Sequence, residues 1–208
     1  MKRYIIEAIG TFFLVFTVAL SGDPLAIGAI LVAMVYMGAY ISGAHYNPAV
    51  TLGVMLQGEM KPVEAVRYMT AQTVGAVLAA GLFYAMAKQA FIPAANESLN
   101  MWLVFVSELV FTFALVSVVL HVAFAEKVKN NFYYGLAIGM TVVAGVSAVG
   151  TVSGAVFNPA LGLGTLLVDA RAFVGHGAKL SIYLSNYLLA PFLGGILAAL
   201  VFRYLQRS

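Results

Sequence analysis

Asn47-Pro48-Ala49 and Asn158-Pro159-Ala160 open two apolar stretches that are too short to cross a membrane. The stretches run from Pro48 to Leu56 and from Pro159 to Val168. At 1.5 Å per helical residue, about ten residues cover roughly 15 Å, which is half of a hydrocarbon core about 30 Å thick. Proline is favoured at the first position of a helix, and asparagine is a strong N-cap. The sequence therefore predicts two re-entrant half-helices.

The rest of the 208-residue chain has the composition of a membrane protein. Hydrophobic residues make up 62% of it and charged residues 9%, with a mean hydropathy of +0.97. That is too little charge for a soluble domain of this size. Six further apolar runs are long enough to span a bilayer: 4–21, 25–43, 63–87, 101–124, 132–149 and 180–203. These runs use nearly the whole chain, so we expect a single membrane domain over residues 1–208.

Several functional classes are not expected from this composition. The sequence shows no nucleophile–base set, metal-ligand cluster or phosphate loop, so we expect no enzyme, no metal and no cofactor. The net charge of +3 is not gathered into a basic, aromatic-bearing face, so a nucleic-acid partner is not expected either. There are no cysteines, which excludes disulfides and thiolate chemistry.

The chain repeats itself, with three segments recurring in the same order. Glu7–Phe12, Asn47–Ala49 and Tyr68–Gly75 are echoed by Glu108–Phe113, Asn158–Ala160 and Tyr187–Gly194. The echo of the first run in mid-chain argues against a cleaved signal peptide there. Each half holds three spans, an odd number, so the second half must enter the membrane from the opposite side. We expect an inverted repeat over about 1–95 and 96–208, with the half-helix amino ends facing each other near the midplane.

Two facing Asn-Pro-Ala caps suit a narrow passage for neutral molecules. Each asparagine oxygen can accept a backbone N–H of the first turn, which leaves the side-chain amides of Asn47 and Asn158 as donors for a passing water. Each helix start also carries about half a positive charge, and two such ends at the midplane oppose cations and hydrated protons. The pattern therefore predicts a channel for uncharged molecules.

The basic residues predict the orientation of the six spans. With the N-terminus inside, the inner face holds Lys2, Arg3, Lys61, Arg67, Lys127, Lys129, Arg203 and Arg207. The outer face holds only Lys88, Arg171 and Lys179. The positive-inside rule then places both termini in the cytoplasm. We expect a multi-pass protein of the plasma (cell inner) membrane.

The segment Ile41–Thr51, which reads ISGAHYNPAVT, resembles the first pore loop of the aquaporin and aquaglyceroporin (major intrinsic protein) family. The resemblance extends over essentially the whole chain. It implies an all-α fold of six tilted membrane helices plus two half-helices. It also implies a homotetramer in membrane lipid, with one pore per subunit for water or for small uncharged solutes such as glycerol, urea or ammonia.

Glu7 and Glu108 lie at repeat-equivalent places inside predicted spans, where an ionisable group costs several kcal/mol unless it is paired. Their recurrence favours burial over snorkelling at the interface. In the resembled family such glutamates accept hydrogen bonds from the pore-loop backbone, which finds no water there. His45 lies where that family often has histidine. Bracing of the loop is its favoured role, and a pH-gating or metal-binding role is the alternative.

One departure from the family pattern concerns the narrow outer filter. The family usually has an arginine directly after the second Asn-Pro-Ala, whereas this chain has Leu161. Alignment of the other filter positions gives Ile27, Val146 and Ala155, with Gly145 as the alternative to Val146. All four residues are apolar, so the guanidinium donors and fixed charge are missing.

The apolar filter leaves several outcomes open. A wide mouth would admit bulkier or less polar neutral solutes, whereas contact between Ile27 and Leu161 would form a dewetting constriction and a gated or nearly closed pore. Arg171 is a candidate to replace the missing charge, although Asp169 offers it a nearer partner. A closed structural protein is the alternative function. A coupled secondary transporter is more remote, because Glu7 and Glu108 are the only titratable groups at hand.

Overall fold

The computed structural model describes residues 1–93, 95–96, 98–128, 130–169 and 177–206. Within this part of the chain all regular structure is helical. The α-helices are α1 Lys2–Ser21, α2 Pro24–Ser42, α3 Pro48–Leu56, α4 Pro62–Ala87, α5 Met101–Phe124, α6 Tyr134–Ser153, α7 Pro159–Val168, α8 Gly177–Leu184 and α9 Ala190–Gln206. A short 3-10 turn over Glu126–Val128 lies between α5 and α6.

The prediction of six spans and two half-helices is confirmed. Six helical segments are long and apolar enough to cross a bilayer, and the sixth, Lys179–Gln206, includes most of α8 and all of α9. The half-helices α3 and α7 have the predicted bounds, because both begin at a proline that follows an asparagine cap. The all-α membrane fold follows directly from the lengths of the apolar runs.

The sixth span contains a π-turn that the sequence analysis did not predict. Residues Ser185–Leu189 form this turn between α8 and α9, and the Ala190 N–H donates to the carbonyl of Ser185, five residues earlier. Pro191 follows at once and has no N–H to donate to Tyr187. A wider turn before a proline relieves the clash of its ring with the preceding helix. The predicted continuous run over 180–203 is therefore interrupted locally.

The helices pair in a way that relates the two halves of the chain. Helix α1 packs against α4, α5 packs against α9, and α2 packs against α6. Half-helix α3 contacts α9, and α7 contacts α4, so each half-helix lies against the last span of the other half. A Cβ at Gly75 would overlap the carbonyl of Ala8, and one at Gly194 would overlap that of Leu109. Glycine at these places allows the two equivalent helix pairs to approach closely.

Candidate pore

Three neighbouring cavities within the helix bundle share lining residues. A central cavity of about 40 Å³ contacts both Asn47 and Asn158. It shares lining residues with a cavity of about 320 Å³ on the side of the chain ends, here called the inner cavity, and with one of about 590 Å³ on the opposite side, here called the outer cavity. The central volume holds about three waters at roughly 10–15 Å³ each. The arrangement provides a narrow middle with a wider space at each side.

The amino ends of the half-helices α3 and α7 meet at the central cavity. Asn47 Oδ1 accepts the N–H of Ala49 at 2.8 Å, and Asn158 Oδ1 accepts the N–H of Ala160 at 3.0 Å. Both caps therefore have the geometry that the sequence predicts, with each proline at the first helical position. The two half-helices are also in contact with each other. Their positive ends converge on the same small volume.

The asparagine amides also form hydrogen bonds that the sequence analysis did not predict. Asn47 Nδ2 donates to the carbonyl of Phe157 at 2.8 Å, and Asn158 Nδ2 donates to the carbonyl of Tyr46 at 2.9 Å. Each amide thus binds the pore loop of the opposite half, and only one of its two N–H groups is left for a passing molecule. Sequence alone gives no signal for this crossing, because the partners are more than 100 residues away.

Glu7 is fully buried and accepts four hydrogen bonds. Its Oε1 accepts from Ser42 Oγ at 2.6 Å and from the N–H of His45 at 3.0 Å. Its Oε2 accepts from the N–H of Tyr46 at 2.7 Å and from Gln72 Nε2 at 2.8 Å. The carboxylate therefore holds the loop that leads into α3, at two consecutive backbone amides.

Glu108 has the equivalent place in the second half and is also fully buried. Its Oε1 accepts from Ser153 Oγ at 2.7 Å and from the N–H of Val156 at 3.0 Å. Its Oε2 accepts from the N–H of Phe157 at 2.7 Å. Hydrogen bonds to a charged group are about twice as strong as neutral ones, so both loops are firmly held.

The same two loops carry main-chain acceptors in residues that line the cavities. Among the described residues, no donor binds the carbonyls of Gly43, Ala44, His45, Gly154, Ala155 and Val156. Each of these residues lines at least one of the three cavities. Ala44, His45, Ala155 and Val156 are buried, and a buried carbonyl requires a partner, which a solute in the cavities can supply. These acceptors belong to the backbone, so side-chain patterns in the sequence do not reveal them.

The loops reach this geometry through left-handed residues that are not glycine. Ala44 has φ 53° and Tyr46 has φ 51°, and their counterparts Ala155 and Phe157 both have φ 49°. A side chain in this region costs about 1–3 kcal/mol and persists only where its surroundings require it. In each loop the two left-handed residues are separated by one residue of ordinary backbone conformation. This arrangement directs two consecutive backbone N–H groups toward the glutamate of that half.

His45 contacts the hydroxyl of Thr51, whose one hydrogen is already donated to another group. Thr51 Oγ1 donates its single hydrogen to the carbonyl of Asn47 at 3.1 Å and accepts from Gln72 Nε2 at 2.9 Å. His45 Nδ1 lies 3.1 Å from the same oxygen and must therefore be the donor. The ring contributes to both the central and the inner cavity. No group of three or more potential metal ligands occurs in the part of the chain that the structure describes.

The four predicted filter residues lie along the path at different depths. Ile27 and Ala155 line both the central and the outer cavity, Leu161 lines the central one, and Val146 lines the outer one. A Cβ at Gly145 would lie 2.7 Å from the ring of Phe157, so this glycine is a packing residue and Val146 is the one at the cavity. Arg171 lies outside the described residues.

Val18 of α1 is a wall residue that the sequence analysis missed. It lines both the central and the outer cavity, as Ile27 and Ala155 do, so these three residues surround the junction between the two spaces. Leu14, one helical turn earlier on α1, lines the central cavity. The sequence gives no signal that separates Val18 from the other apolar residues of the first span.

Comparison with known proteins agrees with this architecture. The sequence model described as "Major intrinsic protein" matches residues 1–202. The chain belongs to the major intrinsic protein family. It is 32% identical to "Nodulin-26" of Glycine max over 99% of this chain and 78% of that protein. It is 31% identical to "Aquaporin AqpM" of Methanothermobacter thermautotrophicus over 98% of this chain and 97% of that protein.

A solved structure supports the fold independently. The "X-ray structure of the aquaglyceroporin from Plasmodium falciparum" superposes on this chain with a TM-score of 0.81 and 24% sequence identity. The match covers 97% of this chain and 94% of the other. The chain therefore has the same fold as that aquaglyceroporin.

Proposed function

We propose that this protein is a passive channel for water and small uncharged solutes, with its path through the three neighbouring cavities. The observation that carries the proposal is the meeting of two half-helix amino ends at a cavity that contacts both Asn47 and Asn158. Similar proteins with channel names support it, among them "Glycerol uptake facilitator protein-like 6" of Lactiplantibacillus plantarum, 32% identical over 96% of this chain.

The geometry supports uncharged solutes in particular. The converging half-helix ends place positive potential at the midplane, which opposes cations and hydrated protons. The central cavity is lined mainly by aliphatic side chains and offers an anion no charged partner among the described residues. A neutral molecule meets the Asn47 and Asn158 amides and the free main-chain carbonyls instead, and these replace part of its hydration.

Each sequence-predicted residue has a role in this proposal. Asn47-Pro48-Ala49 and Asn158-Pro159-Ala160 form the central constriction. Glu7 and Glu108 fix the two pore loops, and His45, donating to Thr51, braces the first loop. Ile27, Val146, Ala155 and Leu161 form an apolar outer filter.

The proposal also covers the larger organisation of the protein. The two halves, about 1–95 and 96–208, repeat the same glutamate-to-loop hydrogen bonds, which supports division into two inverted units. The distribution of the basic residues supports cytoplasmic termini, and the plasma membrane is the membrane that we propose. Membership of the family supports a homotetramer in lipid.

Stopped-flow light scattering on proteoliposomes tests the proposal. Vesicles with the protein should shrink faster in an osmotic gradient than protein-free vesicles of the same size. The absence of any increment for water, glycerol, urea and ammonia would contradict the channel function. A closed structural protein is the second candidate, favoured by the small central volume of about 40 Å³. Flux of any of these solutes would exclude it.

A further inference from the structure

The outer cavity has the size and the lining of a small-molecule site. Its volume of about 590 Å³ lies within the range of about 300–1,000 Å³ that is common for such sites, whereas the central cavity next to it has about 40 Å³. Apolar residues make up most of its wall, and none of the described residues that line it is charged. A neutral molecule larger than three or so waters can therefore occupy this space, but it cannot continue through the central cavity.

The loop between α4 and α5 forms an apolar wall of the outer cavity with the segment Phe91–Pro93. The ring of Phe91 packs edge-to-face against that of Phe83 on α4, with 6.1 Å between the ring centroids. Further along the loop, the N–H of Asn96 donates to the carbonyl of Val152 near the end of α6, at 3.0 Å. The loop is thus attached to a helix on each side of the cavity, so this wall is in place before a ligand binds.

Two hydroxyls of α6 give this otherwise apolar cavity a polar spot. Ser147 and Thr151 both line it and lie one helical turn apart, so their side chains are neighbours on the helix surface. Thr141 of the same helix donates to the carbonyl of Ala137 at 2.9 Å. Within the part of the chain that the structure describes, the hydroxyls of Ser147 and Thr151 form no hydrogen bond of this or another kind. A single ligand hydroxyl can donate to one of them and accept from the other.

We propose that the outer cavity is a binding site for neutral ring alcohols, such as phenols, and that an alcohol bound there blocks the path at its outer end. The inference rests on the channel function proposed above and adds an inhibitory ligand to it. The ligand ring lies against Phe91–Pro93, Ile27 and Val146, and an aromatic ring has a favourable partner in that of Phe91. Its hydroxyl binds Ser147 and Thr151. A charged ligand finds no partner for its charge and is rejected.

The compound 2-naphthol is a suitable probe, because it has two fused rings, one hydroxyl and no charge at neutral pH. It crosses bilayers, so it reaches the outer cavity whichever way the protein is inserted into a proteoliposome. Water flux is measured by stopped-flow light scattering at rising 2-naphthol concentration, and the flux of protein-free vesicles at each concentration is subtracted. We expect a saturable loss of most of the protein-dependent flux.

Two results would count against different parts of the account. Protein-dependent water flux that 2-naphthol leaves undiminished would overturn the binding site while leaving the channel intact. Absence of protein-dependent flux before 2-naphthol is added would overturn the channel function itself.

Removal of the two hydroxyls tests the polar contact. In the double variant Ser147→Ala/Thr151→Val, we expect the half-inhibitory concentration of 2-naphthol to rise by about fivefold or more, since one hydrogen bond contributes about this factor to an affinity. Thr141→Val is the matched control, because Thr141 is on the same helix and lines none of the three cavities. It should keep the original half-inhibitory concentration. Equal values for the double variant and for Thr141→Val would refute the place assigned to the ligand hydroxyl.

A further substitution fills the cavity. A Cβ at Gly150 meets only Val146, at 3.7 Å, which is ordinary contact, and both residues line the outer cavity. Gly150→Leu should therefore occupy the ligand's space, so that 2-naphthol no longer inhibits the remaining water flux. Gly81→Leu is its control, because a Cβ at Gly81 meets nothing within 4 Å and the residue lines none of the three cavities. Inhibition of Gly150→Leu at the same 2-naphthol concentration as Gly81→Leu would overturn the site.

Discussion

Replacement of Glu108 by glutamine tests the claim that a buried carboxylate holds the second pore loop. Both carboxylate oxygens accept main-chain N–H groups, Oε1 from Val156 at 3.0 Å and Oε2 from Phe157 at 2.7 Å. The side chain of glutamine has one oxygen and one amino group, so in either orientation the amino group faces one of these two backbone N–H groups. A backbone N–H can only donate, whereas a hydroxyl could rotate and accept a hydrogen bond from the amino group. Glu108→Gln therefore leaves one buried N–H without an acceptor.

The number of hydrogen bonds affected gives the magnitude of the expected loss of stability. A buried donor without a partner costs about 1–3 kcal/mol. The two remaining hydrogen bonds, from Ser153 and from one backbone amide, change from charged to neutral acceptors and weaken by about 1 kcal/mol each. We expect the free energy of unfolding to fall by about 3–5 kcal/mol. Water flux should also fall, because the carbonyl of Phe157 that binds Asn47 lies in the loosened loop.

Thermal unfolding of the purified protein in detergent, followed by water flux in proteoliposomes, measures both effects. Glu59→Gln is the matched control, since it makes the same chemical change at an exposed side chain and should leave both quantities unchanged. A thermal midpoint and flux for Glu108→Gln equal to those for Glu59→Gln would refute the role of the carboxylate. Glu7→Gln should behave like Glu108→Gln, because its two oxygens also hold two consecutive backbone amides.

Two further substitutions test packing and the filter. Gly75→Ala should prevent α1 and α4 from approaching, because the new methyl group overlaps the Ala8 carbonyl; a sharp loss of folded protein in size-exclusion chromatography is expected, whereas Gly81→Ala, with nothing within 4 Å of the new Cβ, should fold normally. Equal yields for the two variants would contradict the close crossing. Leu161→Arg should narrow the mouth and shift relative permeability toward water over larger solutes, and unchanged ratios would show that Leu161 is not a filter residue.

The sequence predicts most of the fold because the fold depends on features that are local. Run lengths define the six spans, and the Asn-Pro pairs at Asn47 and Asn158 define where α3 and α7 begin. The repeat order then requires the half-helices to be opposed. The π-turn at Ser185–Leu189 was missed although its cause, Pro191, is visible in the sequence, because a proline also permits other local solutions.

The site is predicted less completely, since its contacts join distant parts of the chain. The crossed bonds from Asn47 to Phe157 and from Asn158 to Tyr46 appear only when the halves are docked. The free loop carbonyls depend on left-handed backbone angles that the residue types there do not favour. Val18 lies at the junction because of the rotation of α1, which a uniformly apolar span does not reveal.

The central claim, that the path runs between the two half-helices, is tested most directly by one cysteine introduced into this cysteine-free chain. Leu161→Cys places a thiol at the central cavity, and Leu136→Cys places one on α6 at a residue that is 52% exposed and away from the three cavities. A membrane-impermeant mercurial should leave water flux unchanged in the original protein and in Leu136→Cys, and should abolish most of it in Leu161→Cys. Undiminished flux through fully labelled Leu161→Cys would contradict the account.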